Sequence, residues 1–176
     1  DRQQDSRTGF GDFTDAANGK FSIGPRDNVV SIWGPTFSGD IHIMIPHFDT
    51  TAGAWSTTVQ DSIVGDIQND RIHVRTLDIE GDSLDEFLVT YLDMNDSIHI
   101  ELYNVDTALN ATLIASIVDE KALPLNAYAH VRYTVETGDF NGDGTEEIVL
   151  VKLIDVACCD LEAKVKIFFH SFAGGA

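Results

Sequence analysis

Three stretches of the chain open as alternations of apolar and polar residues with a period of two. They are Ile41-His42-Ile43-Met44-Ile45, Ile98-His99-Ile100-Glu101-Leu102 and Val165-Lys166-Ile167-Phe168-Phe169. That period predicts strands with one face toward a core, placed near a sheet edge. Ahead of each lies a nearly continuous apolar run: Val29 to Trp33, Phe87 to Leu92 and Ile148 to Ile154. These runs are short, rich in β-branched residues and apolar at both parities, which predicts strands buried on both faces rather than helices. Further strands are predicted over Ile72 to Leu77, Thr112 to Val118 and His130 to Val135, and no segment reads as a helix.

The same order of elements recurs because the sequence repeats. Asp78-Ile79-Glu80-Gly81-Asp82-Ser83-Leu84-Asp85-Glu86-Phe87 lies over Asp139-Phe140-Asn141-Gly142-Asp143-Gly144-Thr145-Glu146-Glu147-Ile148 without a gap, at an offset of 139 − 78 = 61 residues. Acidic or amide residues coincide at positions one, three, five, eight and nine, and glycine at position four. A degraded upstream copy is read from Gly11-Asp12-Phe13, which echoes Gly138-Asp139-Phe140, and from Asp27-Asn28-Val29-Val30. Its carboxylates fall at the wrong spacing, so no metal is expected there. The expected fold is therefore all-β: about three four-stranded antiparallel units of about 60 residues, divided at 1–58, 59–118 and 119–176. Units too flat to bury their own faces stack, and four-stranded units stacked around an axis make a β-propeller. Three cannot close a ring, which implies a partial propeller, further blades elsewhere, or identical subunits joined at the open ends.

Composition narrows the chemistry. Eleven basic residues stand against 29 acidic ones in the 176, a formal net charge of −18. Such a balance disfavours nucleic acid, which calls for a basic footprint, and disfavours anionic membrane surfaces. No run reaches the roughly 18 apolar residues needed to insert in a membrane as a helix. The start at Asp1 is read as the start of a piece processed or excised from a longer precursor. Acidic residues in such number serve solubility or converge on divalent cations, and only their spacing separates these readings.

That spacing favours cations in the two aligned loops. Ca²⁺ takes 6 to 8 oxygen ligands from carboxylates, side-chain amides and carbonyls. Alternate residues of a tight loop aim inward, which selects Asp139, Asn141 and Asp143, with the Thr145 carbonyl next and Glu147 closing the site. The equivalents are Asp78, Glu80, Asp82, the Leu84 carbonyl and Glu86, with Ser83 in place of a glycine. An EF-hand begins alike but needs a bidentate Glu at position twelve and flanking helices. Position twelve from Asp139 is Leu150, inside an apolar strand, so this is a strand–loop–strand site. The plain alternative is a solvated Asp/Gly turn.

Gly138-Asp139-Phe140-Asn141-Gly142-Asp143-Gly144, followed by an apolar strand, resembles the FG-GAP/VCBS-type repeat of integrin α-subunit propellers and of many secreted proteins. The resemblance implies a propeller blade with a structural Ca²⁺ in its loop. The family pattern usually ends in Asp at position nine, where this chain has Glu147 and Glu86.

Other features carry less. Two sequons, at Asn95 and Asn110, fall at expected turns and are glycosylation candidates in a eukaryotic secretory setting. Cys158 and Cys159 are adjacent; a vicinal disulfide, pairing outside the segment and free thiols all stay open. His42 and His99 occupy equivalent strand positions, His73-Val74-Arg75 and His130-Val131-Arg132 recur ahead of the loops, and all read as structural. No nucleophile elbow, zincin motif, Walker loop or dinucleotide fingerprint occurs. The expectation is a non-catalytic, calcium-stabilised extracellular or cell-surface module for adhesion, recognition or assembly, with an extracellular protein or glycan ligand. The alternative is the propeller portion of a secreted carbohydrate-active or other hydrolytic enzyme whose catalytic residues lie outside this segment.

Overall fold

A computed structural model describes residues 13–21, 28–34, 41–49, 51–63, 72–93, 95, 97–119, 131–157 and 160–168. These residues form three small antiparallel sheets, with no helix among them. Each sheet is a meander in which consecutive strands pair. The first contains β1 (Phe13–Gly19), β2 (Asn28–Gly34), β3 (Ile41–Asp49) and β4 (Ala54–Ile63). The second contains β5 (His73–Leu77), β6 (Glu86–Leu92), β7 (Ile98–Val105) and β8 (Ala111–Asp119). The third, with three strands among the described residues, contains β9 (Val131–Gly138), β10 (Glu147–Ala157) and β11 (Asp160–Phe168). None of the three closes on itself. No helix among the described residues is long and apolar enough to cross a membrane.

The middle sheet is the filling between the other two. Every residue of β6 is buried, as its two-parity apolar pattern predicts. Phe87, Val89 and Tyr91 join Val30, Ile32, Ile43 and Ile45 in one core. Leu88 and Leu92 turn the other way and join Ile98, Ile100, Leu102, Ile148 and Leu150 in a second. Each large side chain so buried contributes about 1.5–3 kcal/mol, and neither core exists until two sheets meet.

The alternation in β7 has a different cause from the expected edge position, since β7 pairs with β6 on one side and β8 on the other. Its polar residues belong to an inlay on the face toward the first sheet. The His99 ring stacks on Tyr91 at 4.6 Å and its Nε2 lies 3.1 Å from Asp93 Oδ2. The hydroxyls of Tyr91 and Tyr103 both donate to Glu101, at 3.0 and 2.7 Å. The polar side chains on this face are thus hydrogen-bonded, as burial requires.

First strands run side by side, β1 next to β5 and β5 next to β9. Side chains cap these edges against each other. Thr76 Oγ1 donates to the Asn18 carbonyl at 2.6 Å, and Thr137 Oγ1 donates to the Thr76 carbonyl at 2.9 Å. The Val74 N–H donates to Asp15 Oδ2 at 3.0 Å, with Arg75 Nη1 3.6 Å from the same oxygen. Edge amides satisfied in this way do not recruit further strands. Deeper in, the buried Lys152 ammonium reaches Asp119 Oδ2 at 2.7 Å, and Lys166 binds the other carboxylate oxygen. Burial alone pushes Asp119 up, but the two ammonium groups outweigh it and hold the carboxyl below its usual range.

Candidate metal centre

Strand ends fix which residues enter each loop. Eight residues separate the first two strands of every sheet: 20–27, 78–85 and 139–146. Gly19-Lys20-Phe21 therefore stands in register with Gly138-Asp139-Phe140, and the expected echo at Gly11-Asp12-Phe13 does not. The first loop needs no extra residues; it opens on Lys20 where the others open on Asp78 and Asp139. The recurrence of His73-Val74-Arg75 and His130-Val131-Arg132 is likewise out of register, because His130 lies 139 − 130 = 9 residues before its loop and His73 only 78 − 73 = 5.

In the last loop the first aspartate organises the turn. Asp139 Oδ1 accepts the N–H groups of Gly142 and Asp143 at 2.6 and 3.2 Å, and Oδ2 accepts that of Gly144 at 3.0 Å. Three amides converge on one side chain because Gly142 and Gly144 have φ of 80° and 91°, which L side chains rarely adopt. Asp143 Oδ1 then accepts from the Thr145 N–H at 2.9 Å and from its hydroxyl. Glu147, on the first residue of β10 and 2% exposed, accepts the Phe140 N–H at 2.8 Å. Asn141 Nδ2 bridges Asp143 Oδ2 and Glu147 Oε1, at 2.9 and 2.7 Å.

The result is a cluster. Ligand atoms of Asp139, Asp143 and Glu147 all lie within 4.8 Å of one another, the one such acidic group of three or more among the described residues. Two unit charges at 4 Å repel by about 1 kcal/mol in water and about 4 kcal/mol near a protein surface. The donors named above are neutral, so they orient these carboxylates without cancelling their charge. The donor set, hard anionic and amide oxygens on a short loop, suits a hard divalent cation.

The middle loop has the same frame with a looser grouping. Asp78 Oδ1 and Oδ2 accept from Asp82 N and Ser83 N at 3.1 and 2.8 Å, and Asp82 Oδ1 accepts from Leu84 N at 2.8 Å. Glu86 Oε2 accepts the Ile79 N–H at 3.1 Å, as Glu147 does that of Phe140. Burial, with Glu80 and Asp82 adding like charge, pushes the Glu86 carboxyl up to about 7. Gly81 and Ser83 hold φ of 69° and 68°, so Ser83 adopts the conformation a glycine supplies in the last loop. The expected ligands Asp78, Glu80, Asp82 and Glu86 do not draw together as Asp139, Asp143 and Glu147 do.

Two residues carry a role that loop spacing did not single out. Glu146 Oε2 accepts the Asp78 N–H at 3.1 Å, and its own N–H donates to the Asp78 carbonyl at 3.2 Å. Asp85 does the same to Lys20, at 2.6 and 2.9 Å. The last loop residue thus clamps the first loop residue of the preceding sheet, and the recurrence of an acid at position eight was the available signal. Asn95 and Asn110 are exposed, Asn95 in a turn. Asn110 Nδ2 is held by the Asp106 carboxylate, at 2.9 Å to the nearer oxygen. Cys158, Cys159, His130 and His170 lie outside the described residues.

No protein-family model, characterised protein or solved structure matches the chain, so the reading of these loops rests on their own geometry.

Proposed function

We propose that this chain is a run of β-propeller-type blades whose last loop binds Ca²⁺, forming a non-catalytic extracellular module for adhesion, recognition or assembly. The observation that carries the reading is the convergence of Asp139, Asp143 and Glu147 within 4.8 Å on a preordered loop. Asp139, Asp143 and Glu147 would hold the ion, with the Thr145 carbonyl and the Asn141 side chain as the remaining expected ligands. Bound there, Ca²⁺ supplies charge neutralisation and nothing catalytic. An exposed loop of this kind belongs with the extracellular modules, whose Kd values run from about 10⁻⁴ to 10⁻³ M. The blade assignment draws support from three consecutive meanders stacked face to face, each with its first strand beside the next.

Thermal unfolding with Ca²⁺, with Mg²⁺ and with a chelator tests the metal. A ligand at about 100 times its Kd adds about 2.7 kcal/mol, which raises Tm by several degrees in a chain of this size. The expected result is a Ca²⁺-selective rise that disappears in Asp143→Ala. An equal Tm in all three conditions would leave the loop a solvated acidic turn and remove the proposal's main support.

A further inference from the structure

Sheet three has one face covered by the middle sheet and one that no other sheet among the described residues covers. Ile148 and Leu150 point into the core shared with the middle sheet, while Val149, Val151 and Leu153 alternate to the far side. Val149 pairs with Ile167 and Val151 with Val165 on β11, and those two partners are 45% and 62% exposed. The five residues, two exposed and three half-buried, form one contiguous apolar surface, of the kind that marks an interaction site.

Register says what fits it. Counting from the first residue of β2, β6 and β10, Val30 and Ile32 correspond to Leu88 and Thr90 and to Val149 and Val151. The first two pairs are fully buried against the sheet that follows; the third pair has no following sheet among the described residues. The complementary face is the one that Phe87 and Val89, or Ile148 and Leu150, turn toward the sheet before. In the first sheet that face carries Val29, 37% exposed, with Ser31 and Met44 paired across β2 and β3. It too is covered by no other sheet among the described residues.

We infer that this apolar face of the third sheet takes the first sheet of a second copy of this chain, head to tail. The contact repeats one the molecule already makes twice. Asn18 holds the position from which Thr76 and Thr137 each donate to the neighbouring first strand, so its amide meets the Thr137 carbonyl of the other copy. Asp27 holds, in sequence, the place of the clamping acids Asp85 and Glu146. The contact uses two different faces, which makes it heterologous: copies add into rings or filaments instead of stopping at a symmetric dimer. The net charge of −18 opposes it, and salt at about 0.15 M, with a screening length of about 8 Å, relieves that repulsion.

Sedimentation velocity over a concentration series, at low and physiological salt, reads the outcome. The expected result is a mass that grows with concentration and with salt. Val165→Glu on one face and Val29→Glu on the other should each give monomers, with unchanged circular dichroism because both side chains are exposed. Mixing the two variants should restore a one-to-one dimer, since each keeps the face the other has lost. A wild type that stays monomeric throughout would overturn the inference and assign the face to a segment of its own chain or another partner. Oligomers that persist in both variants would overturn it as well.

Discussion

Glu146 and Asp78 bear like charges, yet Glu146 clamps Asp78 through two hydrogen bonds, of 3.1 and 3.2 Å, between its carboxylate and backbone and the Asp78 peptide groups. The clamp ties the two acidic loops together at the cost of crowding their carboxylates. Burial raises the Glu146 carboxyl, the Asp78 N–H opposes it, and like-charge repulsion from Asp85, Asp78 and Asp139 adds to the rise. Separating the hydrogen bond from the charge is therefore informative. Glu146→Gln keeps an oxygen for the Asp78 N–H and removes the charge, and should match or exceed the wild-type Tm in chelator. Glu146→Ala should lose about 1.5–3 kcal/mol, the amount for a hydrogen bond to a charged group. Equal Tm values for Ala and wild type would show that the clamp contributes nothing.

Ser83 offers a gain of function in the same frame. A non-glycine residue held at φ 68° costs on the order of 1 kcal/mol, and its counterpart Gly144 sits at φ 91° without that cost. Ser83→Gly should raise Tm by about 2–4 °C per kcal/mol released. The reverse change, Gly144→Ser, should lower Tm and weaken Ca²⁺ retention by the last loop, measured by isothermal titration. If Ser83→Gly lowers Tm, the added freedom of the unfolded chain outweighs the strain.

How far the sequence reveals this architecture depends on what each residue type can signal. The runs Phe87 to Leu92 and Ile148 to Ile154 announce themselves because burial on two faces demands apolar residues at both parities. β1 and β4 do not: Phe13-Thr14-Asp15-Ala16-Ala17-Asn18-Gly19 has too few large apolar residues to show any period. Its hold on the fold comes from its backbone ladder with β2 and from side-chain hydrogen bonds to β5, which leave no hydrophobic trace. The acidic loops are legible through their spacing, yet the pair Glu146-Glu147 shows the limit. Two adjacent glutamates look alike in sequence, and only the turn into β10 sends one to the cluster and the other to the preceding sheet. The first loop is misread for a related reason: Lys20 replaces the aspartate that would have marked its start.

His73 provides a pH test away from the loops. It stands at the start of β5 with its ring edge-on to Tyr133, 5.4 Å away, and Nδ1 3.9 Å from Asp15 Oδ2. Burial lowers its pKa and Arg75 adds to the lowering, against the pull of Asp15 and Glu136. The folded state thus prefers the neutral ring. Its contribution to stability is full above the ordinary histidine value of 6.5 and is lost as pH falls through the depressed one. Chemical denaturation of wild type and His73→Gln between pH 7.5 and 5 should show the wild type losing stability more steeply on acidification. Parallel curves would mean that the ring is solvated and titrates alike in both states.

Thr90 lies in the middle of β6, wholly buried, and its hydroxyl has no hydrogen-bond partner. The corresponding positions in the neighbouring sheets are Ile32 and Val151, both apolar. A threonine there keeps the β-branched shape the strand requires but strands a polar oxygen between Leu88 and Leu92, against the third sheet. An unsatisfied buried group of this sort costs about 1–3 kcal/mol, so replacing the hydroxyl with a methyl should be favourable without opening a cavity. Thr90→Val is expected to raise Tm by several degrees, with an unchanged denaturant m-value showing that the unfolded reference is the same. Thr90→Ala, which removes the methyl as well, should instead lose stability through the space it leaves. A fall in Tm for the valine variant would mean that the hydroxyl is satisfied in solution, by a buried water bridging the two sheets.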